Sequence, residues 1–168
     1  MSDWITDYYT DVDGMNLHSF VDRHTDDAVV QFANFPPSVG KEAIGAAIGG
    51  FWSTIAGLSH ERRNLWFVND GNTAVFEALL HYTTKGGAEV SLPCVSLLDR
   101  AADGRVSSLR VHIDLAPLFE RIGAEAAPQD VVRSLVRSRS TTLSSSTIAC
   151  HWAGTRNAIE LAGPKNFA

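Results

Sequence analysis

No stretch of the 168 residues approaches the roughly 18 consecutive apolar residues that a membrane-spanning helix needs, so a helical membrane protein is excluded. The N-terminus, Met1-Ser2-Asp3-Trp4, has neither the basic region nor the apolar core of a secretory signal, and a cytoplasmic location is expected. Cysteine is scarce. Cys94 and Cys150 are far apart and in no metal-ligand spacing, which argues against a disulfide framework, and Cys94 lies in an apolar strand pattern that reads as core. Basic charge is also short, with 14 Lys and Arg against 19 Asp and Glu for a net charge of −5. The one basic cluster, Arg133, Arg137 and Arg139, sits in a Ser-rich stretch and reads as a solvated tail. A duplex-binding surface needs a clustered basic patch, so nucleic acid is not an expected partner.

Several chemical motifs are missing as well. There is no His-x-x-x-His pair on a helix and no facial triad of ligands. Gly45, Gly49 and Gly50 fall within an apolar helical stripe, not between a strand and a helix, so they do not form a phosphate loop. Ser59-His60 lacks the strand–turn–helix context of a nucleophile elbow. The sequence calls for no metal and no cofactor.

What is present is an ordinary globular balance, 45% hydrophobic and 20% charged, in a chain long enough for one domain with a sizeable core. Trp4, Ile5, Tyr8, Tyr9 and Val12 fall at helical spacing, and Gly14 marks a helix end. Leu17, Phe20, Val21 and His24 predict a second, shorter helix, and Ala28 to Phe32 a short strand. Asn34-Phe35-Pro36-Pro37 is a turn, because its prolines remove two ladder donors. After Gly40 comes the most apolar helix, with Ile44, Ile48, Phe51, Trp52 and Ile55 on one stripe that a broad surface such as a sheet must bury.

From residue 60 the period falls to about two. Strands are predicted over 60–68, 73–82, 88–98 and 105–114, joined by Asn69-Asp70-Gly71-Asn72, Lys85-Gly86-Gly87 and Ala102-Asp103-Gly104. Connections this short favour an antiparallel meander. Leu115 to Ile122 closes the domain with apolar residues. The expected class is α+β, with three N-terminal helices packed on a curved antiparallel sheet around an apolar pocket. The domain is expected to span 1–123, and 124–168 to be a Ser- and Arg-containing tail with one short helix at Val131, Val132, Leu135 and Val136.

Candidate chemistry concentrates on strands. Alternation puts Arg110, His112 and Asp114 on one face and Leu109, Val111 and Ile113 on the other. Such a ladder is a solvated face or the wall of a polar site. Asp114 precedes the apolar run Leu115 to Phe119, where partial desolvation would suit it to acid or base work. Glu77 and His81 share a face with Val75 and Leu79 and point either into the pocket or toward a dimer contact. His60 stands at a strand start, and Asp13 at the end of the first helix. Together they would make a stronger base than either alone, because a carboxylate fixes the tautomer of an imidazole.

This succession resembles the nuclear transport factor two-like superfamily, and within it the SnoaL-like polyketide cyclase branch. The residues that carry the resemblance are Asp26-Asp27-Ala28, Asn34-Phe35-Pro36-Pro37, Gly40-Lys41-Glu42-Ala43-Ile44, Leu58-Ser59-His60, Asp103-Gly104-Arg105-Val106 and Arg110-Val111-His112-Ile113-Asp114. It implies a cone-shaped, cystatin-like α+β barrel, a homodimer, and a small-molecule lyase, isomerase or cyclase working by cofactor-free acid/base catalysis on an apolar oxygenated metabolite. A limonene-epoxide-hydrolase-like enzyme and a noncatalytic binding module are the alternatives.

The resemblance also implies roles. Asp114 falls at the catalytic aspartate of the cyclases and epoxide hydrolases, and Asn34 at an asparagine that holds attacking water. The tyrosine that the epoxide hydrolases keep two residues earlier is Phe32 here, and their Arg-x-Asp pair is represented only by Glu77. Tyr8 falls at the oxyanion-hole tyrosine of ketosteroid-isomerase-like enzymes, whose base and second oxyanion acid fall at Phe32 and Ser96. Asp13 and His60 fall at the aspartate–histidine base of scytalone-dehydratase-like and dehydrochlorinase-like members. Asp114, His60 and Asp13 are thus the candidate catalytic residues. Asn34, Tyr8, Phe32, Trp52, His81 and His112 are the candidate substrate contacts, with Phe35, Phe51 and Trp66 as further apolar wall.

Overall fold

The computed structural model describes residues 4–126. In order, the elements are α1 (Trp4–Asp13), α2 (Leu17–Asp22), β1 (His24–Phe32), β2 (Ser38–Val39), α3 (Lys41–Trp52), β3 (Ile55–Val68), β4 (Thr73–Thr84), β5 (Glu89–Arg100), β6 (Val106–Ile113) and α4 (Ala116–Ala126). The predicted α+β class is what the chain adopts. The expected tail beyond Ala126, with its short helix at Val131–Val136, lies outside the described residues.

The six strands form one sheet in the order β2-β1-β6-β5-β4-β3. β3 to β6 make the predicted meander, with every neighbouring pair antiparallel. The sheet is nevertheless mixed, because β1 runs parallel to β6. A parallel neighbour needs a long crossover, and the helix and meander between β1 and β6 supply it. The sheet buries one face under the helices. On β4 that face carries Ala74, Phe76, Ala78, Leu80 and Tyr82, each almost inaccessible.

Several boundaries differ from the sequence reading, among them the end of β6, which stops at Ile113 and leaves Asp114 outside the strand. His24 opens β1 instead of closing the second helix, and β3 starts at Ile55 instead of residue 60. The apolar run after Asp114 is a helix, α4, which continues past residue 123. At the end of α1 the left-handed residue is Met15 (φ 50°), not Gly14. Met15 N–H donates to the Val12 carbonyl and Asn16 N–H to that of Asp11, the paired bonds that satisfy a helix C-terminus.

Side chains explain how the helices seat. Gly45 lies one helical turn before Gly49 on α3, and both face α2. A methyl group on Gly49 would stand 2.8 Å from Leu17 and one on Gly45 would stand 3.4 Å from Val21, so the two helices approach closely there. α4 is anchored by Leu118, fully buried, and by Glu125. The Glu125 carboxylate accepts from Thr84 Oγ1 at 2.7 Å and from Gly86 N–H at 3.1 Å.

His24 is fully buried between α1 and α2. Its Nδ1–H donates to the Phe20 carbonyl at 2.8 Å, leaving Nε2 to accept from the Tyr8 hydroxyl at 3.3 Å. Burial lowers its pKa from 6.5 to about 4, outweighing the Phe20 carbonyl, which favours the cation. Between those two pH values the unfolded chain binds more protons than the folded one. Stability is therefore complete above about pH 6.5 and lost as pH falls toward 4, by on the order of 3 kcal/mol. Urea midpoints from pH 7 to pH 4 should show this slope, and His24→Gln should flatten it.

Candidate active site

The space between the helices and the sheet is an apolar cavity. Tyr8, Tyr9 and Val12 of α1 close one side, and Ile48, Phe51 and Trp52 of α3 another. The sheet contributes Phe32, Leu58, His60, Leu80, Tyr82, Ser96, Leu109 and Val111. Its volume is about 50 Å³, room for a few waters or a small group.

Its polar end is built by α1 and β3. Tyr9 and Asp13 are four residues apart and so share a face of α1. β3 brings His60 against both. His60 Nδ1 lies 2.5 Å from Asp13 Oδ1, and the His60 backbone N–H donates to Asp13 Oδ2 at 3.2 Å. The two bonds use both oxygens of the carboxylate and fix the imidazole ring. With Nδ1–H donated to Asp13, the neutral ring keeps Nε2 as its basic nitrogen. The His60 side chain is 7% exposed and that of Asp13 is 31% exposed. His60 therefore stands in the cavity wall, while Asp13 reaches a more polar groove of about 230 Å³ on the other side of the ring, walled also by Thr6, Thr10 and Arg62.

The Tyr9 ring lies 4.5 Å from that of His60 and stacks on Phe76 at 4.1 Å. Burial raises the Tyr9 pKa far above its ordinary value, against a hydrogen bond with the Ser96 side chain that lowers it. Burial likewise pushes up Tyr8 and Tyr82. All three phenols are neutral near pH 7 and act as donors or acceptors, not as bases. Among the described residues that line the cavity, His60 carries the one imidazole.

The other sequence candidates divide sharply. Tyr8, Phe32 and Trp52 line the cavity, as does Phe51, although the Tyr8 hydroxyl is already committed to His24. Asp114 is exposed, not partly desolvated. Its Oδ1 accepts from Ala116 N–H at 3.0 Å, so it caps the start of α4 and is not among the residues that line the cavity. Asn34 is exposed in the turn after β1. Arg110 and His112 are exposed on the outer face of β6, with Arg110 paired to Asp99 at 3.2 Å. His81 and Glu77 lie on the outer face of β4, where His81 meets Ser91 at 2.8 Å and Glu77 meets Asn64 at 2.7 Å. Trp66 is half exposed there too. Tyr9 is the cavity residue that sequence reasoning missed as a candidate. Its spacing of four from Asp13 was the available signal.

Among the described residues no three His, Cys, Asp or Glu side chains converge as a metal site, and no helix is long and apolar enough to cross a membrane.

Residues 5–109 match the family model described as a SnoaL-like domain. No curated protein matches the sequence. Solved structures share the fold at low identity. A protein with a ketosteroid-isomerase-like fold from Catenulispora acidiphila DSM 44928, solved in complex with trimethylamine, is 17% identical with a TM-score of 0.62, covering 74% of this chain and 96% of that one. SalBIII, described as an epoxide hydrolase/cyclase-like enzyme in pyran ring formation in the polyether salinomycin, is 16% identical with a TM-score of 0.59, covering 66% and 88%. An NTF2-like protein of unknown function from Exiguobacterium sp. 255-15 is 13% identical with a TM-score of 0.57, covering 66% and 97%.

Asp13→Ala should leave the His60 backbone and ring N–H groups without their acceptor, at a cost of about 1–3 kcal/mol. Nitrogen-15 spectra of the imidazole should show the Nδ1–H tautomer in the parent protein and a mixture of tautomers in the variant.

Proposed function

The chain belongs to the SnoaL-like domain family, and from that premise we propose that it is a cofactor-free lyase, isomerase or cyclase whose base is the Asp13–His60 pair. The observation that carries this reading is the 2.5 Å contact between His60 Nδ1 and Asp13, with His60 in the wall of a mostly apolar cavity. His60 Nε2 would remove a proton from a carbon next to a carbonyl, and Asp13 would stabilise the imidazolium that results. Tyr9, kept neutral by burial, would donate to the developing oxyanion, with Ser96 holding the phenol in place. The substrate is an oxygenated metabolite with a largely apolar surface, since most of the lining is aromatic or aliphatic.

The fold relatives support the scaffold, and one of them is described as cyclase-like, but at 16% identity they carry no mechanism across. Epoxide hydrolysis through Asp114 and Asn34 draws no support from their placement, because both are exposed. Asp114 would then be a helix cap and not the base. The homodimer implied by resemblance would pair the outer faces of two sheets, where Trp66, Val75, Leu79 and Leu97 share one surface around the polar residues named above.

Two measurements test these readings. Carbonyl compounds with an acidic C–H, incubated with the protein in deuterium oxide, should take up deuterium at that carbon. His60→Gln should slow the exchange by about 10²–10⁴-fold, and Asp114→Asn should not slow it. Equal rates in the parent and His60→Gln proteins would remove the pair from the mechanism. Light scattering should give twice the chain mass for the parent protein, and Trp66→Glu should shift it toward the monomer.

A further inference from the structure

A second, larger cavity adjoins the first. It has a volume of about 450 Å³ and is walled by Val30, Phe35, Pro36, Ala47 and Phe119, among others. Phe32, Ile48 and Phe51 belong to both cavities and, among the described residues, make up their shared wall. We propose that the outer cavity binds an apolar tail of the substrate whose reacting head lies beside His60, with Phe32 and Phe51 as the movable partition between them. This deepens the acid/base reading and rests on it for the identity of the head.

Size is the first argument. Metabolite sites commonly measure about 300–1,000 Å³. The inner cavity, at about 50 Å³, falls well short of that, while the outer one lies within the range. A substrate that reaches His60 must therefore displace part of the inner wall or extend beyond it.

The partition is suited to move. Phe32 and Phe51 meet at 4.9 Å between ring centroids with planes tilted by 55°, and both are only half-buried. Neighbouring Gly50 has nothing within 4 Å of where a methyl group would stand, so the end of α3 is not crowded at that point. A Phe51 ring that swings outward enters the larger space.

Chemistry is the second argument. The inner cavity has a polar end at His60, Tyr9 and Ser96. Among the described residues the outer one offers only Ser38 and Thr54 as polar side chains, and the Thr54 hydroxyl is spent on the Phe51 carbonyl at 2.8 Å. Its rim carries Phe35 and Phe119, 48% and 42% exposed, with ring centroids 6.4 Å apart in an edge-to-face arrangement. Two large aromatics left facing water around a concavity are what an apolar ligand would cover. The substrate class is then an oxygenated head of a few heavy atoms that bears a chain or fused ring of apolar carbon.

Methyl ketones of five to eleven carbons probe this directly, with binding to the full chain read from the fluorescence of Trp52 and its fellows and confirmed by calorimetry. Affinity should rise by about fourfold for each methylene that enters the outer cavity. Ala47→Trp places an indole in that cavity from an exposed helical position, and should collapse the ratio of dissociation constants between the two ends of the series. Independently of any variant, cross-relaxation spectra of the undecanone complex should connect its terminal methyl to the ring protons of Phe35 and Phe119. Affinity that does not change with chain length, or a terminal methyl that contacts neither ring, would overturn the proposal. These are binding readouts, so they separate from the fate of the base. A His60→Gln protein that keeps the chain-length dependence and loses exchange supports both readings. One that keeps both retires the base and leaves the outer site standing.

Discussion

One carboxylate ties the helical layer to the sheet at the functional end of the molecule. Asp13 ends α1, where the helix dipole disfavours a negative charge, and the last turn of α1 carries Asp11 as well with no basic residue of its own. Each charge is answered from elsewhere in the chain. Arg23, just after α2, pairs with Asp11, and His60 of β3 supplies two donors to Asp13. An arrangement that breaks a local helix rule and is then satisfied by long-range partners marks a position held for something other than helix stability. The same two bonds fix the angle at which α1 crosses β3, and hence the position of Tyr9 over the cavity.

Around that clamp the cavity is made of groups that exclude water without carrying charge. Tyr8, Tyr9 and Tyr82 are driven by burial to remain neutral, and Cys94 nearby has its thiol pushed up to about 11 by the same cause. A wall of this kind makes any electrostatic interaction with His60 stronger than it would be in water. Among the described lining residues the imidazole is also the one side chain with a basic nitrogen. His24, by contrast, is buried and hydrogen-bonded on both nitrogens within the helical layer, which leaves it no nitrogen to offer a ligand. The two histidines thus differ in what their ring nitrogens have already committed.

The fold was largely legible because its signals are local and periodic. The three helices, the meander and its turns follow from stripes of apolar residues and from Gly- and Asn-containing connections. The parallel pairing of β1 with β6 was not legible, since it joins segments some eighty residues apart with no local trace in either. The identity of α4 was hidden for another reason. Its apolar residues come as a short run that a strand or a closing loop could equally carry, and part of its docking rests on Glu125, whose partners Thr84 and Gly86 are distant in sequence. The site was half legible. Spacing and resemblance together singled out Asp13 and His60 as a possible pair, but nothing in a separation of forty-seven residues says that two side chains meet. Tyr9 was visible only as one more aromatic in a helical stripe.

Asp114 shows how a correct strand can carry a mistaken inference. The strand predicted over 105–114 runs from Val106 to Ile113, so alternation correctly grouped Arg110 and His112 on its outer face but Asp114 stands just past its end. What alternation cannot give is which face looks inward. Leu109, Val111 and Ile113 are the apolar set, and a sheet with one buried face turns that set to the core. The three ionisable residues must then face out, and the apolar run that follows Asp114 does not desolvate it, because that run is a helix whose first free N–H groups need an acceptor. The argument that excludes Asp114 from the cavity applies with opposite sign to His60. His60 stands two residues from Leu58, which is buried, and so shares the inward face of β3. A polar residue in phase with the apolar side of a strand, opposite a helix-terminal carboxylate, is the more informative pattern of the two.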